Sequence, residues 1–125
     1  MATTNLTFDR FEETISAQGT VLVDFWAEWC GPCRAFGPVF EKASEEHPDI
    51  VFAKVDTEAE QMLSAQLGIR SIPTLMIFRD GILLFNQAGA LPAHALEEIV
   101  GKVQELDMDD IRAQIAAEEA SRSEG

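Results

Sequence analysis

The hydrophobic residues of this chain follow two kinds of spacing, one typical of helices and one typical of strands. Phe8, Phe11 and Ile15 lie at helical spacing between acidic residues, which predicts an amphipathic helix that Thr7 caps and Gly19 ends. Residues 20–27 are apolar almost throughout, and such a run predicts a strand that is covered on both faces. The remaining patterns predict, in order, a helix at 32–46, a strand at 50–56, a short helix at 61–67, strands at 74–78 and 82–85, and a helix at 91–106.

The turn residues between these elements indicate how the strands pair. Asp80-Gly81 lies between two apolar runs, which is a strong hairpin signal and makes the last two strands antiparallel. Strands that alternate with helices earlier in the chain are expected to run parallel. Pro38 falls inside the helix at 32–46 and predicts a kink beside Gly37. The predicted fold class is α/β, with a mixed central β-sheet flanked by helices.

Residues 107–125 form a distinct segment with six acidic residues and two arginines. Met108, Ile111 and Ile115 keep helical spacing behind Asp107, which resembles a helix cap. We therefore expect residues 1–106 to form one domain and residues 107–125 to form an acidic helical extension. This extension is expected to dock partly on the domain and to fray over residues 121–125.

Composition and charge argue against several classes of protein. A chain of 125 residues with 46% hydrophobic residues is long enough for one compact core. Its net charge of −13 repels phosphate backbones, which argues against nucleic-acid binding. The apolar runs are far too short to span a bilayer, and residues 1–5 contain neither a basic nor an apolar leader. We therefore expect a cytoplasmic protein without a membrane partner, and a monomer.

The two cysteines of the chain, Cys30 and Cys33, enclose the dipeptide Gly31-Pro32. A static disulfide across so short a loop removes little entropy from the unfolded chain, so redox chemistry explains the pair better than stability does. Cys30 precedes a helix in which Pro32 suits the first turn, and the helix N-terminus favours a thiolate over a thiol. Cys33 lies one turn further and should be more enclosed. Cys30 would then attack a substrate disulfide, and Cys33 would attack Cys30 to release the product.

A zinc half-site is the competing interpretation of a Cys-x-x-Cys pair. Closed structural zinc sites need four ligands, and only His47 and His94 remain to complete one. They are far apart in sequence and lack the spacing of zinc-binding histidines, so we favour redox chemistry and place both histidines on the surface.

Asp24 interrupts the apolar run at 20–27. A carboxylate in a buried strand is costly unless it is paired or protonated, which raises its pKa and makes it a usable base. The alternative is an edge-strand aspartate that faces water. Lys54 lies in the strand at 50–56 and either pairs with Asp24 or extends outward to water. At Ile72-Pro73, bond frequencies alone favour a trans peptide.

These features closely resemble the thioredoxin family. The resemblance rests on residues 24–33 (DFWAEWCGPC), on Pro38 and on residues 71–74 (SIPT), and it runs from about residue 7 to residue 106. Lys54, the hairpin at 80–81 and Gly89 also stand where the family has them. The acidic extension after residue 106 is longer than usual in the family.

The resemblance implies a thioredoxin fold and a protein-disulfide reductase that works without a bound cofactor or metal. Cys30 would be the nucleophile, Cys33 the resolving thiol and Asp24 the buried group that helps to deprotonate Cys33, with Lys54 tuning Asp24. Protein disulfides would be the substrates and a thioredoxin reductase the electron donor.

The resemblance also implies a cis bond before Pro73, near which the backbone would pair with an extended substrate segment. The residues expected to contact the substrate or tune the redox pair are Trp29, Gly31, Pro32, Ile72, Pro73 and Gly89. Ordinary packing is the alternative role for each of them. Two further hypotheses are an oxidase or isomerase on the same scaffold, and a thioredoxin-like binding or chaperone module that uses the apolar surface around the cysteines.

Overall fold

A computed structural model describes residues 2–124 as a five-stranded mixed sheet with helices on both faces. The strands are β1 (Thr3–Asn5), β2 (Thr20–Trp26), β3 (Val51–Asp56), β4 (Thr74–Arg79) and β5 (Ile82–Ala88). The helices are α1 (Phe8–Ser16), α2 (Gly31–Glu46), α3 (Gln61–Gln66), α4 (Ala93–Glu105) and α5 (Met108–Glu124). The order across the sheet is β1-β3-β2-β4-β5, with β1, β3 and β2 parallel and with β4 antiparallel to both of its neighbours. This arrangement confirms the predicted fold class.

Strand β2 lies at the centre of the sheet and is covered on both faces, as its apolar run predicted. Leu22 packs in a core cluster with Phe40 of α2, whereas Val23 packs in a second cluster with Phe11 of α1. Successive side chains of a strand point to opposite faces, so Asp24 points to the same face as Leu22. The sequence of β2 therefore directs one carboxylate towards the helix that carries the cysteines.

Strand β1 has no counterpart among the predicted elements. It pairs with β3 at one edge of the sheet, with Thr4 beside Ala53. Glu41 of α2 holds β1 in place, because the Glu41 carboxylate accepts a hydrogen bond from the Thr3 hydroxyl at 2.7 Å. Three polar residues carry no hydrophobic alternation, so the sequence pattern gave no signal for this strand.

The first helix begins where it was predicted to begin but ends before Gly19. Helix α1 ends at Ser16, and Gly19 lies beyond it with a φ of +101°. Thr7 is the N-cap residue, as predicted, but its side chain makes no capping hydrogen bond, and the N–H of Phe8 instead donates to the Glu60 carboxylate at 2.8 Å. Phe8 itself is exposed, so the buried face of the helix is narrower than the spacing suggested.

The predicted hairpin joins β4 to β5. Asp80 and Gly81 both have positive φ angles, +53° and +80°, as a tight hairpin turn of the left-handed type requires. The Asp80 carboxylate accepts the N–H of Gly19 at 2.9 Å. The turn is therefore fixed to the start of β2 as well as closing the hairpin.

Helix α5 docks on the hairpin end of the sheet through its first turns. The Asp107 side chain accepts the N–H of Asp110 at 3.1 Å, which confirms the predicted cap. Met108 is buried, and the Arg112 guanidinium lies 3.6 Å from the Asp80 carboxylate. The helix continues to Glu124, and Gly125 lies outside the described residues, so the fraying expected over residues 121–125 stays a prediction. In the part of the chain that the structure describes, no helix is long and apolar enough to cross a membrane.

Docking of α5 predicts a measurable contribution from Met108. Its side chain is buried, so Met108→Ala should lower the free energy of unfolding by about 2 kcal/mol, because truncation leaves a cavity that the surroundings fill only partly. Met62→Ala is the matched control, since Met62 is 66% exposed and its truncation should change stability by less than about 0.5 kcal/mol. Urea unfolding measures both. Equal effects of the two substitutions would contradict docking.

Candidate active site

Cys30 and Cys33 are joined by a disulfide at the N-terminus of α2. Cys30 is the N-cap residue, and its sulfur accepts the N–H of Cys33 at 3.2 Å. Pro32 occupies the first turn, as predicted, where its missing N–H costs no helical hydrogen bond. Helix α2 runs on through Pro38, and the kink expected there stays a prediction. The arrangement places a backbone donor and the positive end of a helix dipole at the Cys30 sulfur.

The two cysteines differ in surroundings rather than in exposure. Cys30 is 4% exposed and Cys33 is 5% exposed, so the expectation that Cys33 is the more enclosed residue is wrong for the disulfide state. The Cys30 sulfur lies 3.6 Å from the backbone oxygen of Ile72. Cys33 instead lines a cavity of about 160 Å³ together with Lys54. Cys30 therefore borders the loop before β4, and Cys33 borders the cavity beside Lys54.

The loop that faces Cys30 contains the cis peptide bond Ile72-Pro73. The resemblance implied this isomer, whereas bond frequencies alone gave trans. Gly89, which follows β5, donates its N–H to the Pro73 carbonyl at 2.8 Å with a φ of +108°, a backbone conformation that favours glycine. The predicted residues Ile72, Pro73 and Gly89 therefore lie together in the fold.

The residues predicted to contact the substrate around the disulfide differ in their exposure to solvent. Trp29 is 66% exposed, and its indole N–H donates to the Glu58 carboxylate. The other predicted contact residues divide into exposed Gly31, Pro32 and Gly89, half-buried Ile72 and buried Pro73. Ordinary packing does not account for so exposed a tryptophan. Pro73, by contrast, offers little side-chain surface to a partner.

Asp24 is fully buried in the central strand, so the alternative of an edge-strand aspartate in water is wrong. Within residues 2–124, neither of its carboxylate oxygens has a hydrogen-bond partner. Burial disfavours the charged form and raises the pKa of Asp24 to about 7, although the positive charge of Lys54 works in the opposite direction. The carboxyl group therefore changes its protonation state near neutral pH.

Lys54 lies directly beside Asp24 in the register of β2 and β3, but the two side chains do not form the direct ion pair that was one expectation. The Lys54 ammonium lies over the indole ring of Trp26, 4.9 Å from the ring centroid. A long lysine side chain reaches partly hydrated surroundings there, and full desolvation beside Asp24 would cost more. The expected pairing is therefore replaced by a cation–π contact.

Trp26 and Glu58 also belong to this site, although the sequence did not predict them as site residues. Trp26 lies two residues after Asp24, so strand alternation alone placed both side chains on one face. The contact between Glu58 and Trp29 had no sequence signal, because it joins the loop after β3 to the segment between β2 and α2.

The two histidines do not join the cysteines. His47 at the end of α2 contacts the Glu97 carboxylate of α4 at 2.8 Å. Over residues 2–124, no three histidine, cysteine or acidic side chains are grouped as a metal site would require. His94 is exposed and lines a groove between α2 and α4.

A mixed sheet with a disulfide at the first turn of a helix defines the class of thiol–disulfide oxidoreductases with a thioredoxin fold. The sequence model of the thioredoxin family matches residues 2–102. The chain therefore belongs to the thioredoxin family, and it is a protein-disulfide reductase.

Known proteins extend this similarity over almost the whole chain. A Streptomyces coelicolor protein named "Putative thioredoxin 2" is 52% identical over 119 residues, which are 95% of this chain and 89% of that protein. Thioredoxin 1 of Synechococcus elongatus is 43% identical over 81% of this chain and 94% of its own length. The solved structure of Plasmodium falciparum thioredoxin has a TM-score of 0.73 and 33% identity, and it covers 79% of this chain and 97% of its own.

Proposed function

We propose that this protein reduces disulfides of other proteins by two exchange steps, with Cys30 as nucleophile, Cys33 as resolving thiol and Asp24 as proton acceptor. The observation that carries the assignment is the position of Cys30 at the helix N-cap, with the Cys33 N–H directed at its sulfur. A thioredoxin reductase returns the dithiol form after each cycle. We also propose that the protein acts in the cytoplasm as a monomer.

The first step is attack by the Cys30 thiolate on a substrate disulfide. The thiolate is stabilised by the N–H at 3.2 Å and by the helix dipole, because both favour negative charge at this sulfur. A new bond forms between Cys30 and one substrate sulfur as the substrate disulfide breaks. The second substrate sulfur leaves as a thiolate and takes a proton from water, which gives a mixed disulfide.

The second step is attack by Cys33 on the Cys30 sulfur. Cys33 first gives its proton to the Asp24 carboxylate, whose pKa of about 7 suits proton transfer near neutral pH. The bond between Cys30 and the substrate then breaks, and the substrate leaves as a dithiol with two electrons gained. The protein is left with the Cys30–Cys33 disulfide that the structure holds.

Substrate contacts surround Cys30. The backbone oxygen of Ile72, 3.6 Å from the Cys30 sulfur, is placed to accept an N–H from an extended substrate segment. Exposed Trp29, Pro32 and Gly89 form a small surface around this point. Backbone pairing with few side-chain pockets favours broad selectivity among disulfide proteins.

We propose that residues 107–125 are an extension separate from the catalytic domain, which comprises residues 1–106. The extension meets the fold at Asp80, whereas the loop before β4 borders Cys30. These are opposite ends of β4, which are roughly 20 Å apart in a strand of this length. The docking contact of α5 is therefore remote from the exchange chemistry.

The role of Asp24 predicts that Asp24→Asn slows the second step more than the first. Loss of the proton acceptor should reduce the rate of substrate release at pH 7 by tenfold or more, on the scale of general base catalysis, while mixed-disulfide formation changes little. Rapid mixing of the reduced protein with a disulfide protein, followed by acid quenching and mass spectrometry, measures both rates.

Asp49→Asn is the matched control for this experiment, because Asp49 is an exposed carboxylate outside the site. It should leave both rates unchanged. Equal slowing of the two steps by Asp24→Asn would remove Asp24 from the proposed mechanism.

A further inference from the structure

The Lys54 ammonium can lie beside the Asp24 carboxyl group or over the Trp26 ring, and in the structure it lies over the ring. The strand register sets Lys54 beside Asp24, yet its ammonium lies 4.9 Å from the centroid of the Trp26 ring. We propose that Trp26 is a positioning residue, which holds the Lys54 ammonium over its indole ring and so keeps the Asp24 carboxyl unpaired. This inference rests on the proposed role of Asp24 for its functional meaning, but not for its geometry.

The backbone makes this choice available. Asp24 and Trp26 are two residues apart in β2 and point to the same face, about 7 Å apart along the strand. Lys54 lies on the neighbouring strand at the level of Asp24. Its four-carbon side chain can therefore end at the carboxyl group or at the indole, and the two positions exclude each other.

The energetic comparison favours the indole. Contact with the aromatic face stabilises the Lys54 ammonium, and at this position the half-buried side chain still borders the cavity. A direct pair with fully buried Asp24 would require further desolvation of the ammonium, which the attraction between the two charges offsets in large part, so the ring contact decides between the two positions. The buried indole N–H of Trp26 has no acceptor within residues 2–124, so this N–H does not bind the Asp24 carboxylate either.

The other charged and titratable groups near Lys54 lie on the cavity that it lines. They are Glu28 from the segment after β2 and Arg34 from α2, whereas Cys33, which also lines the cavity, is held in the disulfide. Asp56 lies two residues further along β3. Only Asp24 is both fully buried and directly opposite Lys54 in the register, so a displaced ammonium would act mainly on Asp24.

Removal of the Trp26 ring should therefore lower the pKa of Asp24. In Trp26→Leu the ammonium is free to pair with the carboxylate, and close pairing lowers the pKa of an aspartate by roughly one to three units. The experiment is a carbon-13 NMR titration of the Asp24 carboxyl group in the oxidised protein. We expect a downward shift of at least about one pH unit in Trp26→Leu, and a shift of under about 0.3 in Trp26→Phe, which keeps an aromatic face.

Lys54→Met provides the decisive control, because water that enters beside a smaller side chain would also lower the midpoint. In the double variant Trp26→Leu/Lys54→Met the midpoint should stay at the value of Lys54→Met alone. An equal downward shift with and without Lys54 would assign the effect to hydration and overturn the proposal. The absence of any shift in Trp26→Leu would overturn it as well.

A measurement on the unaltered protein keeps the test independent of how the variants fold. The ε-methylene protons of Lys54 should resonate upfield of their ordinary position because of the indole ring current. An ordinary chemical shift for these protons would refute the contact. None of these readouts uses turnover, so a failed kinetic test of Asp24 and a failed positioning role of Trp26 remain distinguishable.

Discussion

Replacement of Cys33 by serine is expected to stop turnover and to leave the protein bound to its substrate through Cys30. The first exchange step needs only the Cys30 thiolate, which keeps the helix dipole and the N–H of residue 33. The second step needs a sulfur at position 33, and a serine hydroxyl is too weak an acid to replace it. The mixed disulfide should therefore accumulate to about one equivalent per protein chain.

Non-reducing electrophoresis and mass spectrometry of the trapped species measure this outcome. Cys30→Ser is the matched control, since it removes the nucleophile and should give neither turnover nor a trapped complex. Sustained turnover by Cys33→Ser, or trapping by Cys30→Ser, would reverse the assignment of the two sulfurs.

Asp24→Asn is expected to stabilise the oxidised protein at alkaline pH and to have little effect on stability in acid. The pKa of Asp24 is raised from 3.8 to about 7 in the folded protein by burial. Between these values the folded chain keeps a proton that the unfolded chain loses, so stability falls as pH rises. The fall is complete above about pH 8 and amounts to ~4 kcal/mol at 1.36 kcal/mol for each unit of pKa difference.

Asparagine cannot ionise, so the stability of the variant does not fall in this way as the pH rises. Urea unfolding at pH 4 and pH 9 should show the variant about 4 kcal/mol more stable at pH 9 and close to the unaltered protein at pH 4. Asp49→Asn should show no such dependence, because Asp49 is exposed. A stability difference that is the same at both pH values would contradict the raised pKa.

These two effects of Asp24 act in opposite directions. Its ionised form destabilises the fold, yet its ability to change protonation state near neutral pH suits it to accept the Cys33 proton. A carboxylate placed only for stability would be paired or exposed. The position of Asp24, buried and without a partner within residues 2–124, is better explained by chemistry.

Sequence patterns predicted those parts of the molecule that depend on local periodicity. The continuous apolar run around Asp24 predicted a strand that is buried on both faces, and Asp80-Gly81 predicted the hairpin. The edge strand β1 was missed because its three polar residues are held by β3 and by Glu41, which are distant in sequence. Helix α1 begins directly after Thr7, as predicted, but the N–H of Phe8 is capped by Glu60, which is distant in sequence.

The candidate site was predictable in its residue types but not in all of its contacts. The spacing of Cys30 and Cys33 at a helix start indicates thiol chemistry from the sequence alone. The location of the Lys54 ammonium depends on a balance between desolvation and aromatic contact that only the folded structure sets. The isomer of the bond before Pro73 was implied by family resemblance and not by residue frequencies.

The placement of the two tryptophans has a practical consequence for following the redox state. Trp26 packs against the cluster formed by the two cysteines, and Trp29 directly precedes Cys30. The chain contains no tyrosine and no other tryptophan, so its intrinsic ultraviolet fluorescence arises almost entirely from these two indoles. Opening or closing of the disulfide can therefore be followed optically in the unlabelled protein, without a background signal from distant parts of the fold.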